Sequence, residues 1–368
     1  MGRDRDADPI EAHRGHLRVA PGDPNPADRV KKPLGALSPK VALIDAYLTG
    51  ISPRGDALIR ATRAFDRGRA SGEELEAAFL EDAGALVRLQ LGLGIRYVSD
   101  GMLRWQDLLR PFALGWRGLE AGPLARWFDN NTFYRRPIIV GEIGSDGGAL
   151  GPFIELAAMP PGVDRKAVLP SPYAFAKLSE DRFYGDPAEL AMAIAGALRR
   201  EAESLIRMGF SYIQFSEPCL AYGPPKPRDE VAMALEAISA AARGLGALGA
   251  RTCLYVYFGD ASPLLPDLAG LPIDDIGIDM TESDPDPDSL SALPADKGLA
   301  LGIADGRNSL VEGPREIAAS AERALGAVEP DALFLCPSCE MEHLPRSVAD
   351  RKLEALAMAA RALGGLEP

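Results

Sequence analysis

Histidine is scarce in this 368-residue chain, and of its three copies only His343 lies beyond the first 16 residues. A histidine-rich metal centre in the body of the protein is therefore not expected. Cysteine is scarce as well: Cys219, Cys253, Cys336 and Cys339 are too few for a disulfide framework in a chain this long. They read as reduced thiols of a cytoplasmic protein. No uninterrupted run of about 18 apolar residues occurs, so no membrane span is expected. The opening MGRDRDADPI has no apolar core of the kind a signal peptide needs. Positive charge is in deficit, with a formal net charge of −13. Residues 1–40 carry 8 Lys/Arg and 6 Asp/Glu, which leaves −15 on residues 41–368. Such a body argues against nucleic acid or an anionic membrane as partner. No glycine-rich phosphate fingerprint follows the first strand, which disfavours an open doubly wound sheet.

What is present is a soluble globular composition, 47% hydrophobic and 25% charged, with enough chain to bury a large core. Apolar, β-branched runs alternate with helical periodicity. Strands are predicted at 41–47, 97–100, 166–170, 211–217, 251–258, 275–280, 298–305 and 332–336. Helices are predicted near 55–68, 72–92, 187–208, 228–245, 314–327 and 346–363. Eight strands with intervening helices describe one (β/α)₈ TIM barrel over residues 39–368, preceded by an N-terminal extension, residues 1–38, without periodicity. Residues 105–165 break the alternation and hold all three tryptophans. They read as a large insertion after the second strand, a hairpin partly covering the barrel mouth.

Nearly every strand ends in a polar side chain, where a barrel of this kind places its active site. Glu217 closes YIQFSE beside Ser216; a carboxylate fixed by the next Pro suits amine binding or base chemistry, or else caps the following segment. Asp100, Arg104 and Trp105 form a group that suits a heterocycle, with a loop cap and a core Trp as the alternative. Trp127, Asp129 and Asn131 lie in an aromatic and amide-rich segment that suits a flat polar ligand, or simply packs on the barrel. Tyr255 and Tyr257 share one side of their strand, as ligand donors or as barrel filling. Cys336-x-x-Cys339 is a weak metal signal without a second pair.

Taken in order, SDGMLRW, WFDNNTFYRRP, LPSPYAFAKLS, IQFSEP, IGIDMTES and CPSCEMEHLPR resemble the strand-end segments of cobalamin-independent methionine synthase, in its single-barrel form. The resemblance spans most of residues 41–368. It implies a methyltransferase whose donor is of the methyl-tetrahydrofolate type, or a corrinoid carried by a protein partner, acting on small molecules. In that family zinc holds the homocysteine thiolate, and a coordinated thiol is deprotonated near neutral pH. The chain departs from the family at the zinc ligands. The His-x-Cys positions fall on Tyr255 and Tyr257, the Glu position on Asp279, and only Cys339 is kept, with Cys336 as a further thiol. Glu217 takes the position that contacts the amino acid, and Asp305 matches a strand-end Asp. The resemblance thus implies methyl transfer to a small amino-acid-like acceptor with zinc absent or atypically bound. Tyr255 and Tyr257 would orient or deprotonate a non-thiol nucleophile.

Three other readings stay open. A zinc-dependent homocysteine S-methyltransferase would contain stoichiometric zinc. A non-catalytic pterin- or amino-acid-binding barrel would bind without turnover. A uroporphyrinogen-type decarboxylase finds only Arg54 in its favour. Assembly into a homo-oligomer is also open.

Overall fold

The computed structural model describes residues 41–130 and 132–364; the expected extension, residues 1–38, lies outside them. In chain order the elements are β1 (Leu43–Ala46), α1 (Asp56–Asp66), α2 (Gly72–Gly92), β2 (Tyr97–Val98), α3 (Arg110–Gly115), β3 (Arg117–Arg126) and β4 (Phe133–Gly144). Then come β5 (Asp164–Pro170), α4 (Pro172–Leu178), β6 (Glu180–Asp181), α5 (Pro187–Arg207), β7 (Phe210–Glu217), α6 (Arg228–Ala242) and β8 (Arg251–Val256). The chain ends with α7 (Leu265–Leu268), β9 (Asp275–Asp279), α8 (Pro287–Ser291), β10 (Gly298–Ala304), α9 (Pro314–Leu325), β11 (Ala332–Pro337) and α10 (Arg346–Leu363).

Local chemistry explains the helix starts. Ser71 and Glu74 form a reciprocal capping box at α2, and Asp186 accepts two backbone N–H groups at α5, where Pro187 opens the helix. Ser171 caps α4 in the same way, a helix that the periodicity had not suggested. One helical window, Arg228–Leu248, is long and apolar enough to cross a bilayer by composition alone. Its first turn is acidic, and α6 packs on α4 and α5 with Val231, Ala234, Ala237 and Ile238 buried.

Eight parallel strands form the main sheet in the order β1-β11-β10-β9-β8-β7-β5-β2, curled into a TIM barrel with the helices outside. The seam between β1 and β2 is joined differently. The Asp45 carboxylate accepts the Arg96 N–H at 3.0 Å, and the Ser52 N–H donates to Gly101 O at 2.9 Å. Tyr47 and Tyr97 pack together on Tyr212 and Phe334 inside. The floor of the barrel is polar but satisfied: Arg251 and Tyr212 both donate to Asp275, and the buried Lys166 ammonium donates to Leu48 O and lies 4.3 Å above the Tyr47 ring. Burial pushes Lys166 down to about 7.

The insertion is a β3–β4 antiparallel hairpin with β6 added at its edge. The apolar PIIVGEI run lies within β4, as alternation suggested; β3, poor in β-branched residues, was not legible.

Candidate active site

Alternation along β8 sends Cys253, Tyr255 and Tyr257 into the barrel. Tyr255 is fully buried. A Cβ on Gly277 would come within 2.2 Å of its ring, and one on Gly302 within 2.0 Å of its hydroxyl. The phenol therefore sits in a slot that exists because two strand positions carry no side chain. Its O–H donates to Pro337 O at 2.8 Å, with Ser338 O at 3.1 Å. Tyr257, one level higher, donates to Glu340 Oε1 at 2.7 Å. Burial pushes both phenols well above their ordinary range, so at neutral pH they are donors and not bases. The carboxyl of Glu340 is pushed up to about 7 by burial, against the downward pull of the Tyr257 hydrogen bond.

Asp279 ends β9 with both oxygens engaged: Oδ1 accepts from the Thr281 N–H and hydroxyl at 2.9 and 2.6 Å, and Oδ2 from the Phe258 N–H at 3.3 Å. Cys339 is buried, its thiol directed at Glu340 O at 3.4 Å. Burial, Glu340 and Asp279 push that thiol up. Cys336 lies lower, against Tyr255, and is likewise pushed up by burial. His343 meets Glu342 at 3.1 Å. Among the described residues no three His, Cys, Asp or Glu side chains are grouped to hold a metal. Two phenols in place of His and Cys and a carboxylate with both oxygens engaged leave Cys339 as the one unaltered ligand type, a set that does not fit the tetrahedral zinc site that the resemblance implies.

The remaining candidates separate. Glu217 is buried, its Oε1 accepting from the Cys219 and Leu220 N–H groups at 2.7 and 2.9 Å and its Oε2 from Ser171. These are the contacts of a strand-end cap, and burial raises the carboxyl to about 7. Ser216 faces the interior, its hydroxyl 3.0 Å from Gln214 Nε2. The oxygens of Asp100 accept from the Met102 and Glu155 N–H groups, both at 2.9 Å. Arg104 turns away from the mouth to Glu76 and Glu155. Trp105 packs edge-on against Phe112 and Phe153. Asp305 holds its own turn through the Arg307 N–H and Asn308.

The hairpin turn reaches the barrel mouth. Phe128 lies 4.8 Å from Tyr222 and 5.1 Å from Phe258 between ring centroids, and Trp127 packs on Phe128 and Tyr134. Asp129 hydrogen-bonds Tyr222, raising its phenol; Asn131 lies outside the described residues. Among the described residues, three other than glycine have positive φ, namely Met102 at 53°, Phe128 at 48° and Phe258 at 65°. Each follows a strand end or sits in this turn, and such strain collects where function constrains the backbone. Glu340 borders a void of about 10 Å³ lined by Ile51, Asp107, Trp127 and Tyr134.

Glu340 was not singled out from sequence. The signal was there: in CPSCEMEHLPR it is the carboxylate directly after the retained cysteine.

The sequence profile described as cobalamin-independent synthase, catalytic domain, matches residues 49–362. The chain belongs to the cobalamin-independent methionine synthase family, and by that membership it is a methyltransferase. It is 25% identical over 320 residues to a methionine synthase of Saccharolobus islandicus, covering 86% of this chain and 94% of the relative. It is 26% identical over 320 residues, with the same coverage, to that of Saccharolobus solfataricus. Its fold is that of a B12-independent methionine synthase from Shewanella sp. W3-18-1, solved with selenomethionine, with a TM-score of 0.71 and 22% identity over 88% of this chain and 98% of the other.

Proposed function

We propose that this chain transfers a methyl group from a methyl-tetrahydrofolate-type donor to a small amino-acid-like acceptor, in the cytoplasm, without a zinc-bound thiolate. The observation that carries this reading is the seating of Tyr255 and Tyr257 at the two former ligand positions. The Tyr255 hydroxyl is held by backbone carbonyls over Gly277 and Gly302, and that of Tyr257 by Glu340. In this reading Tyr257 orients Glu340, and Glu340 takes the proton of the acceptor's X–H group. The X–C bond forms as the donor's C–N bond breaks, and its electron pair returns to a protonated nitrogen that leaves as a neutral amine. A carboxyl near 7 is matched to proton transfer at neutral pH. Substrate entry requires the Trp127–Phe128 side of the mouth to open, because the void beside Glu340 holds no more than about one water.

The competing reading is a zinc-dependent methionine synthase. It is favoured by the retained Cys339, close enough to Asp279 for that carboxylate to act on its thiol, and by the names of the relatives. Methyl-labelled methyl-tetrahydrofolate offered with a panel of amino acids, homocysteine included, separates the two. Label should pass to a non-thiol acceptor, survive chelation, and be lost about 100-fold or more in Tyr257→Phe, as for other general-base arrays. Transfer to homocysteine alone, abolished by chelator, contradicts the proposal.

A further inference from the structure

A second cavity, about 760 Å³, opens at the barrel seam, where the loop after β1 meets the loops after β2 and β11. Its walls are apolar in part, with Leu103, Trp105 and Leu344, and it shares Ile51 and Glu342 with the small void beside Glu340. One wall carries Arg54. The Nε–H of Arg54 donates to Leu103 O at 2.8 Å and its guanidinium lies 5.3 Å from the Phe79 ring centre. Its two terminal nitrogens meet no carboxylate and no other acceptor among the described residues.

The arginines around it behave differently. Arg346, which also lines the cleft, holds Asp82 at 3.0 Å and Asp350 at 2.7 Å. Arg104 holds Glu76 and Glu155. Arg54, half-buried like these two, holds no acid. Burial lowers its pKa, so its charge carries a desolvation cost with only distant carboxylates to offset it. Two residues earlier, Ser52 is buried and its hydroxyl also lacks a partner.

We propose that the cleft at the β1–β2 seam binds the carboxylate of a ligand with a flat apolar body, Arg54 holding the anion and Trp105 and Leu103 flanking the body. A single carboxylate suits it better than a phosphate, because Asp56, Glu342 and Asp350 line the same cleft and a second negative charge would face them. The inference goes beyond the methyl-transfer reading and stands without it, since it concerns binding alone.

The test is calorimetry on the full chain with hippurate, its uncharged amide hippuramide, and inorganic phosphate. Hippurate should bind about tenfold or more tightly than hippuramide, the usual worth of a charge-assisted hydrogen bond. Arg54→Met should erase that difference, and Arg54→Lys should keep part of it, a point charge replacing the fork. Equal binding of hippurate and hippuramide, no binding of hippurate, or a preference that survives Arg54→Met would overturn the proposal. Phosphate displacing hippurate and binding more tightly would overturn the carboxylate assignment. The wild-type comparison of acid and amide needs no variant to fold, and none of these outcomes bears on whether methyl transfer occurs.

Discussion

Replacing Glu340 by glutamine probes the carboxyl at the centre of the site. Its ordinary value of 4.5 is pushed up to about 7, a gap worth at most about 3 kcal/mol. The sign follows from which state ionises first. Below 4.5 the group is protonated in both folded and unfolded chains, and burial costs nothing extra. Between 4.5 and about 7 the unfolded chain ionises while the folded one does not, so stability falls as pH rises, and above 7 the loss is complete. Glu340→Gln cannot ionise and keeps an oxygen for the Tyr257 hydroxyl. Its new N–H₂ group is left without an arranged acceptor, at about 1 kcal/mol. The variant should be about 1 kcal/mol less stable than wild type near pH 4 and about 1–2 kcal/mol more stable near pH 8. Urea unfolding followed by tryptophan fluorescence at both pH values reads this reversal. Glu217, raised to about 7, and Asp45, raised to about 6, keep a residual slope of the same sign in the variant. An unchanged difference between the two pH values in Glu340→Gln would refute the assignment of a buried, proton-holding Glu340.

Gly302→Ala should cost about 1–3 kcal/mol through overpacking, because the new methyl meets the Tyr255 hydroxyl and lies 2.9 Å from Ser338 Cα. Tyr255→Phe should recover part of the lost melting temperature, and a variant as stable as wild type would show that Tyr255 does not occupy this slot. Arg104→Ala leaves Glu155, only 7% exposed, without its cation and should lower stability by about 3 kcal/mol. If ligand binding fell while urea stability did not, Arg104 would belong to the pocket after all.

The barrel was legible because its strands are short apolar runs with hard stops. The FSYIQFSE run ends at Glu217, as expected, and IGID at Asp279, one residue before the expected end. The helices from 72, 187 and 346 carry a cap box, an Asp-Pro start and a Pro before the first turn, so their starts were fixed locally. α4 was missed because its seven residues are too few for periodicity, and only the Ser171-Pro172 cap marks it. Spacing placed Tyr255 and Tyr257 on one face, which alternation guarantees. It could not tell that the Tyr257 hydroxyl would meet Glu340, because that contact joins the ends of two strands 83 residues apart. The roles of Asp100 and Glu217 were undecidable from sequence for a related reason: a carboxylate that caps a turn and one that meets a ligand occupy the same strand-end position.

The most direct measurement is the metal content of untagged protein by elemental mass spectrometry, with methyl transfer assayed on the same sample before and after chelation. The account predicts far less than one zinc per chain and transfer that chelation leaves unchanged. About one zinc per chain, removed together with activity, would mean that Cys339 and Asp279 rebuild a metal site with partners of their own. The Tyr257–Glu340 reading would then fall.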